Sequence, residues 1–331
     1  MDDRRKEARK NLLKKSAKVE GIVVKGYDFN EGVNYKKIID SFSSTGLQAS
    51  NFSKAISIVK KMRTEKAKIF FGYTSNIVSS GLRESIRYLV EHKKVDVCVT
   101  TGGGIEEDII KCLGDFYIGE FNLSGKTLRN KAINRIGNIL APNSNYVAFE
   151  EFVMPLLEDL CNKQEKTGEI IGPSDLVWKL GEKINDKRSI CYWAWKNKIR
   201  IYCPTIMDGS LGDMIYFFKY KKNNFKLDIV EDTRRLNDET IGLDKSGVLV
   251  LGAGVVKHSI LNAHLYRNGA DYAVFINNAQ EFDGSDAGAM PSEAVSWGKI
   301  RIEGEKDSVK VFGDASILFP ILVAESFVDG K

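Results

Sequence analysis

Hydrophobic positions along this chain follow two alternating spacings. KIFFGYTSN (68–76) is a short apolar run that ends in small polar residues. GLRESIRYLVEHKK (81–94) follows, with Leu82, Ile86, Leu89 and Val90 on one helical face. VDVCVTTGGG (95–104) is a second apolar run, ending in glycines, and IEEDIIKCLG (105–114) resumes as helix. A strand buried on both sides is apolar throughout, so this βαβα rhythm predicts a mainly parallel sheet with helices on both faces. Upstream, residues 34–62 have helical period. Ile38, Ile39 and Phe42 give way at Thr45-Gly46 to a second run from Ala55 to Met62, and GYDFNEG (26–32) marks a turn. Residues 1–20 alternate charge with leucines and read as a loose, peripheral helix.

The rhythm pauses over 114–190, which carries turns and at least one helix near 147–161. It returns with IRIYCPTIMDGS (199–210), then LGDMIYFF (211–218) and a helix candidate near 228–241. SGVLVLGAGVV (246–256), DYAVFIN (271–277) and SVKVFGD (308–314) read as further strands, about seven in all. No fixed-period repeat interrupts them. The expected organisation is an N-terminal helical extension over 1–20 and one α/β domain over 21–331, Rossmann-like, with additional helical segments.

Composition narrows the class. The chain has 331 residues, 43% hydrophobic and 28% charged, which suits a folded core and excludes a disordered chain. A net charge of +5 is concentrated in MDDRRKEARKNLLKK at the start and KYKKNNFK at 219–226. No nucleic-acid-binding motif accompanies these clusters, so they read as solvated surface and no nucleic acid partner is expected. Five cysteines without a CxxC pair argue against a disulfide framework, and Cys98, inside VDVCVTT, reads as a small buried hydrophobe. No apolar leader and no run of 18 apolar residues is present, so the cytoplasm is the expected location, with no membrane partner.

In open parallel sheets, ligands bind beyond the carboxyl ends of the strands. Those ends here read FGYTSN (71–76), VTTGGG (99–104), PTIMDGS (204–210), LGAG (251–254), INNAQEFDG (276–284) and FGDAS (312–316). Glycine allows close approach of backbone to ligand, and Ser, Thr and amide N–H groups can hold phosphate at a helix start. Ser75, Asn76 and Ser79 stand at one such start, Thr101, Gly102 and Gly103 at another. Their recurrence points to a nucleotide or dinucleotide. The usual fingerprint is absent: after Gly252-Ala253-Gly254, Lys257 stands where a third glycine belongs, and Asp271 begins the next strand rather than ending it. No GxxxxGK[ST] is present. Metal fits poorly. His258 and His264 lack an HExxH frame, and Asp283 and Asp286 lack EF-hand spacing.

One stretch departs from the basic character of the chain. EFDGSDAGAMPSEAVSWGK (281–299) holds Glu281, Asp283, Asp286 and Glu293 with no base before Lys299. Glycines, alanines and serines between the acids suggest a close-packed turn. It reads either as an ordinary acidic loop or as a pocket of negative field that gathers a cation. Trp297 reads as a core residue or as the aromatic face of that pocket. Lys299, before an apolar run, is a candidate nucleophile toward carbonyls or imines. His258 is a candidate acid or base near neutral pH.

The words of the chain resemble the deoxyhypusine synthase family over about residues 24–327. The blocks that carry the resemblance are VKGYDFNEGVNY (24–35), FFGYTSNIVSSGLRESIRYLVEH (70–92), TTGGGIEEDIIKCLG (100–114), NRIGNILAPN (134–143), MDGSLGDM (207–214), LDIVEDTRRLN (227–237), GAGVVKHSILNAHLYRNGADYAVFIN (252–277) and AQEFDGSDAGAMPSEAVSWGKI (279–300). The resemblance implies NAD-dependent transfer of the 4-aminobutyl group of spermidine to one lysine of the translation factor 5A precursor, through an imine on an enzyme lysine, with release of 1,3-diaminopropane. It implies that Lys299 is that lysine and that His258 aids proton movement beside spermidine. Glu106, Glu107, Asp213, His258, Gly284, Asp286, Glu293 and Trp297 would line the polyamine site. NAD would touch Ser75, Asn76, Ser79, Thr101, Gly102, Gly103, Glu107, Asp208, Ala253, Asn278, Ala279, Asp283, Asp314 and Ala315, with no metal. The family is a homotetramer with active sites between subunits, and residues 1–20 correspond to a helix that can cover a site entrance. Gly102 stands where many members have alanine, Ser259 where many have a second histidine, and Ala253 where many have glycine. Two alternatives stay open: a homospermidine synthase that uses putrescine as acceptor, and a regulatory subunit of a heteromeric synthase.

Overall fold

The computed structural model describes residues 2–329. The chain divides into two compact units, Met1–Ser53 and Lys54–Lys331. In the first, α1 (Asp3–Leu12) is capped by Asp2, whose carboxylate accepts from the Arg4 amide, and it buries no side chain. GYDFNEG folds as a single 3-10 turn, with the Asp28 carboxylate accepting from Asn30 and the Tyr27 hydroxyl donating to the Gly32 carbonyl at 2.7 Å. Two short helices follow, α2 (Tyr35–Asp40) and α3 (Phe42–Thr45). The longer α4 (Leu47–Thr64) straddles the division between the units.

The second unit is built on a six-stranded parallel sheet. Its strands are β1 (Lys68–Tyr73), β2 (Val97–Thr100), β6 (Arg200–Tyr202), β7 (Ser246–Leu251), β8 (Tyr272–Asn277) and β9 (Ser308–Phe312). The order across the sheet is β6-β2-β1-β7-β8-β9. Counted by chain order within this sheet, that is 3-2-1-4-5-6, the order of the doubly wound dinucleotide-binding fold. The strand interiors are the apolar runs of the sequence: β2, β7 and β8 are buried at every position. The core around them includes Phe70, Val99, Val248, Val250, Ile260 and Phe275. Helices α6 (Arg83–Glu91), α7 (Gly102–Leu113), α13 (Ile229–Asp238), α14 (Val255–Ala263) and α16 (Ala315–Ser326) connect or follow the strands. In α6 the face Ile86, Leu89 and Val90 is buried, as its spacing requires.

Three expectations are corrected. The main sheet has six strands, not about seven. LGDMIYFF is helical, part of α12 (Ser210–Lys221), because Leu211, Met214, Ile215 and Phe218 are buried at helical spacing while Tyr216 and Phe217 face solvent. The stretch 114–190 does break the parallel rhythm, and its expected helix near 147–161 lies within Asn143–Thr167, but it carries more than turns. It holds a three-stranded antiparallel sheet of β3 (Tyr117–Ile118), β5 (Ile139–Pro142) and β4 (Ile133–Ile136), with α8 (Gly125–Asn130), α9 (Asn143–Thr167) and α10 (Pro173–Ile184). The remaining helices are α5 (Ser75–Ser79), α11 (Ile190–Asn197) and α15 (Pro291–Ser296). No helix among the described residues is long and apolar enough to cross a membrane.

Candidate active site

The carboxyl ends of β1 and β7 lie side by side where the strand order reverses, the place at which such sheets leave a crevice. A cavity of about 370 Å³ opens there. Thr74, Asn76 and Gly252 line it from these two strand ends, and Asn277, Asn278, Asp314 and Ala315 from the ends of β8 and β9. Asp314 caps α16. Its carboxylate accepts from the Ser316 amide at 2.7 Å and hydroxyl at 2.6 Å, which holds its pKa below the usual carboxylate range. Gly252 and Gly254 both take left-handed backbone, with φ of +77° and +68°, so the turn around Ala253 is tight. The antiparallel sheet adds Ile136, Gly137, Asn138 and Ile139, the tip joining β4 to β5. Sequence reasoning missed this tip, because nothing in the period of 114–190 marks it.

Beside it stands a layer of polar groups, Ser75 and Thr101 half-buried and Ser79, Glu106 and Glu107 buried. Ser75 and Thr101 join the ends of β1 and β2, with 2.6 Å between their hydroxyl oxygens. Gly102 and Gly103, read from the sequence as standing at a helix start after the strand, form the first turn of α7 together with Gly104. The backbone at Gly102 packs so closely that a Cβ there would lie 2.3 Å from the Asp208 carbonyl. Two residues of α7 bring carboxylates inside. Glu106 accepts from the Leu211 amide at 2.7 Å, at the start of α12, and burial raises its pKa, with Asp213 and Asp208 adding to the rise. Glu107 accepts from the Ser79 hydroxyl, and burial pushes its pKa up to about 7 against that bond. Asp208 and Asp213 are exposed.

The acidic stretch forms the third part. Glu281–Asp283 make one 3-10 turn that ends at Gly284 in left-handed backbone. Hydrogen bonds from Ser285 lower the pKa of Asp283. The chain then turns inward at Gly288 and Ala289, and α15 carries Glu293 and is followed by Trp297 at its C-cap. Lys299 is fixed through its backbone. Its N–H donates to the Ala294 carbonyl at 2.9 Å, and its carbonyl accepts from the Ala270 amide at 3.0 Å. A second cavity of about 370 Å³ brings together His258, Asp286, Glu293, Trp297 and Lys299, all on the sequence-derived list. Leu261, Leu265, Ala289 and Ala294 make its apolar wall.

Within this pocket the Lys299 side chain is 9% exposed, and its Nζ lies 5.8 Å from the ring centroid of Trp297. Trp297 is 69% exposed, so it is not a core residue. Oδ2 of Asp286 is buried and makes no hydrogen bond among the described residues. A buried carboxylate oxygen left bare is costly unless a ligand supplies the donor, and an ammonium does so best. His258 is exposed, with Nδ1 3.1 Å from Nδ2 of Asn262. Sequence reasoning missed Asn262, one turn along α14 from His258, and Leu265, in the 3-10 turn that follows α14.

The acidic stretch has bases after all, brought from elsewhere in the chain. Lys257 and Lys310 lie beneath it and donate to its backbone carbonyls. Burial lowers the pKa of both. The structure thus gathers the candidates into three groups: a lysine pocket, a crevice at the strand ends, and the Ser75–Thr101–Glu107 layer. Asp213, Glu106 and Glu107 line neither cavity, and Ser75, Ser79, Thr101, Gly103, Ala253, Ala279, Asp283 and Gly284 lie outside both linings.

Comparison with known proteins bears on what these groups do. Residues 37–326 match the family model described as deoxyhypusine synthase. A Dictyostelium discoideum protein described as a "Probable deoxyhypusine synthase" is 50% identical over 92% of this chain and 86% of its own length. A deoxyhypusine synthase of Senecio vernalis is 49% identical over 96% of this chain and 92% of its own length. The solved structure of an Entamoeba histolytica protein described as a "putative deoxyhypusine synthase" is 33% identical, with a TM-score of 0.69 over 92% of this chain and 96% of that one.

Proposed function

The chain belongs to the deoxyhypusine synthase family, and we propose that its lysine pocket and strand-end crevice divide that family's NAD-dependent aminobutyl transfer between them. The enzyme moves the 4-aminobutyl group of spermidine to a lysine of the translation factor 5A precursor and releases 1,3-diaminopropane. The observation that carries the assignment of the pocket is the meeting of Lys299 with His258, Asp286, Glu293 and Trp297 in one cavity. Spermidine is a polycation. The bare Oδ2 of Asp286 and the carboxylate of Glu293 suit its ammonium groups, and the exposed Trp297 ring suits its methylene chain and charge.

Lys299 is the nucleophile in this reading. Its Nζ adds to the imine carbon derived from spermidine, the bond from that carbon to the diaminopropane nitrogen breaks, and the amine leaves with a proton from His258. The aminobutyl group then rests on Lys299 as an imine until the acceptor lysine displaces it. The chemistry supplied by bound NAD is hydride removal from spermidine at the start and hydride return to the final imine, which leaves no net oxidation. The crevice suits the cofactor: the Asp314 carboxylate and the Asn278 side chain line it and can hold hydroxyl groups. Ser75, Thr101, Glu107 and Asp208 extend this surface at the neighbouring strand ends. In this reading the protein works as a homotetramer in the cytoplasm.

The acceptor decides between this reading and its rival. Purified protein is given NAD and spermidine labelled in the aminobutyl part, with the factor 5A precursor and putrescine offered separately. Label on the precursor supports the protein acceptor. Label only in homospermidine assigns the chemistry to putrescine instead. Label in neither, restored by a second subunit, makes the chain one part of a heteromer.

A further inference from the structure

Lys257 on α14 and Lys310 on β9 are driven beneath the acidic stretch, where their ammonium groups donate to backbone carbonyls while the nearby carboxylates act on them only through space. Lys257 is 1% exposed and Lys310 5%. The Lys257 ammonium donates to the carbonyls of Asp286 at 2.5 Å and Ala289 at 3.0 Å, and stands 4.7 Å from the centroid of the Phe275 ring. The Lys310 ammonium donates to the carbonyls of Ala279 at 2.7 Å and Gly288. All four acceptors belong to the single loop 279–289. Its limbs touch at Gly288, where a Cβ would lie 1.9 Å from the Gln280 carbonyl. Lys310 therefore closes the neck of the loop, and Lys257 holds its returning limb.

Burying an ammonium without a carboxylate is costly, and an apolar side chain of the same length would pack these places more cheaply. What an apolar residue cannot do is hold two carbonyls at once. The two limbs also carry different candidates. Asn278, Ala279 and Asp283 are assigned to NAD, while Asp286, Glu293 and the chain toward Lys299 are assigned to the polyamine. We propose that Lys257 and Lys310 are positioning residues that split this loop between two ligands, Lys310 setting the limb that meets NAD and Lys257 the limb that meets the polyamine. The assignment rests on the site reading above.

The test replaces each lysine by methionine in the full chain and measures KM for NAD and for spermidine. Amide hydrogen exchange over 278–293 is followed in the same proteins. Lys257→Met raises the spermidine KM about tenfold and leaves that of NAD within about twofold; Lys310→Met does the reverse. Exchange quickens over 286–290 with 278–283 unchanged in the first variant, and over 278–283 together with Gly288 at the neck in the second. Lys→Arg at each position, which keeps the charge and two donors, recovers part of both readouts. If a methionine variant does not fold, Lys→Gln at that position is measured in its place. Equal changes in both constants, or unchanged exchange in both variants, overturn the proposal. Failure of the unsubstituted protein to transfer anything is a different result: it removes the site reading, and the exchange pattern still decides whether the lysines hold the loop.

Discussion

Single residues here carry charges that the fold has made expensive. Glu107 is the clearest. Its ordinary pKa of 4.5 rises to about 7 because burial disfavours the charged form, and the Ser79 hydroxyl only partly opposes this. The folded state then holds a proton that the unfolded state has lost between pH 4.5 and 7. Stability contributed by this group is present below pH 4.5 and falls as pH rises through that window, by on the order of 3 kcal/mol. Glu107→Gln removes this decline, so urea midpoints of the variant lie flatter with pH across it. A slope unchanged by the substitution counts against the burial argument. At the same scale, the sequence made His258, Asp286, Glu293, Trp297 and Lys299 legible, because acids without bases beside a tryptophan are unusual in a basic chain. It hid Lys257 and Lys310, whose partners lie 29 or 32 and 31 or 22 residues away.

Elements show why some segments could be read and others not. Strands such as β7 and β8 are buried at every position and apolar over Val248–Leu251 and Tyr272–Ile276, so the run itself marks them. The same signature misplaces 211–218, where a half-buried helix happens to carry Tyr216 and Phe217 on its outer face. β3 is two residues long and both are exposed, so no burial pattern exists to be read. Asp108 shows how elements are joined. It is wholly buried in α7 and accepts from the Ser189 hydroxyl at 2.6 Å, the Ile190 amide at 2.9 Å and the Cys191 amide at 3.0 Å, which caps the start of α11. Asp108→Ala leaves these donors bare and is expected to cost about 2–4 kcal/mol in chemical denaturation. Asp108→Asn, which keeps one acceptor, costs less. A loss below about 0.5 kcal/mol in the alanine variant would mean that water replaces the cap.

At the scale of the whole molecule, a strand order of 3-2-1-4-5-6 puts a crevice between β1 and β7 without the glycine fingerprint that usually announces it. The apolar runs made the parallel sheet legible. The strand order was not, since it is set by which edge each crossover chooses. The lysine pocket is lined by α14 and by the loop and turn flanking α15, apart from the residues that line the crevice. Asp213, Glu106 and Glu107, which the resemblance assigns to the polyamine, line neither cavity in one chain. A second copy that brings them to the lysine pocket would complete the site, which is the homotetramer proposed above. Light scattering on purified protein is expected to give four chains per particle, and a monomer with full transfer activity would contradict that arrangement.

The central claim is that Lys299 carries the aminobutyl group between donor and acceptor. It is tested most directly by incubating the protein with NAD and spermidine, without acceptor, reducing with borohydride and mapping the modified peptide by mass spectrometry. The account predicts one aminobutyl adduct on Lys299 that requires NAD, with no adduct in Lys299→Ala and its transfer rate lower by on the order of 10³ or more. An adduct on another lysine, or transfer that persists in Lys299→Ala, would contradict it.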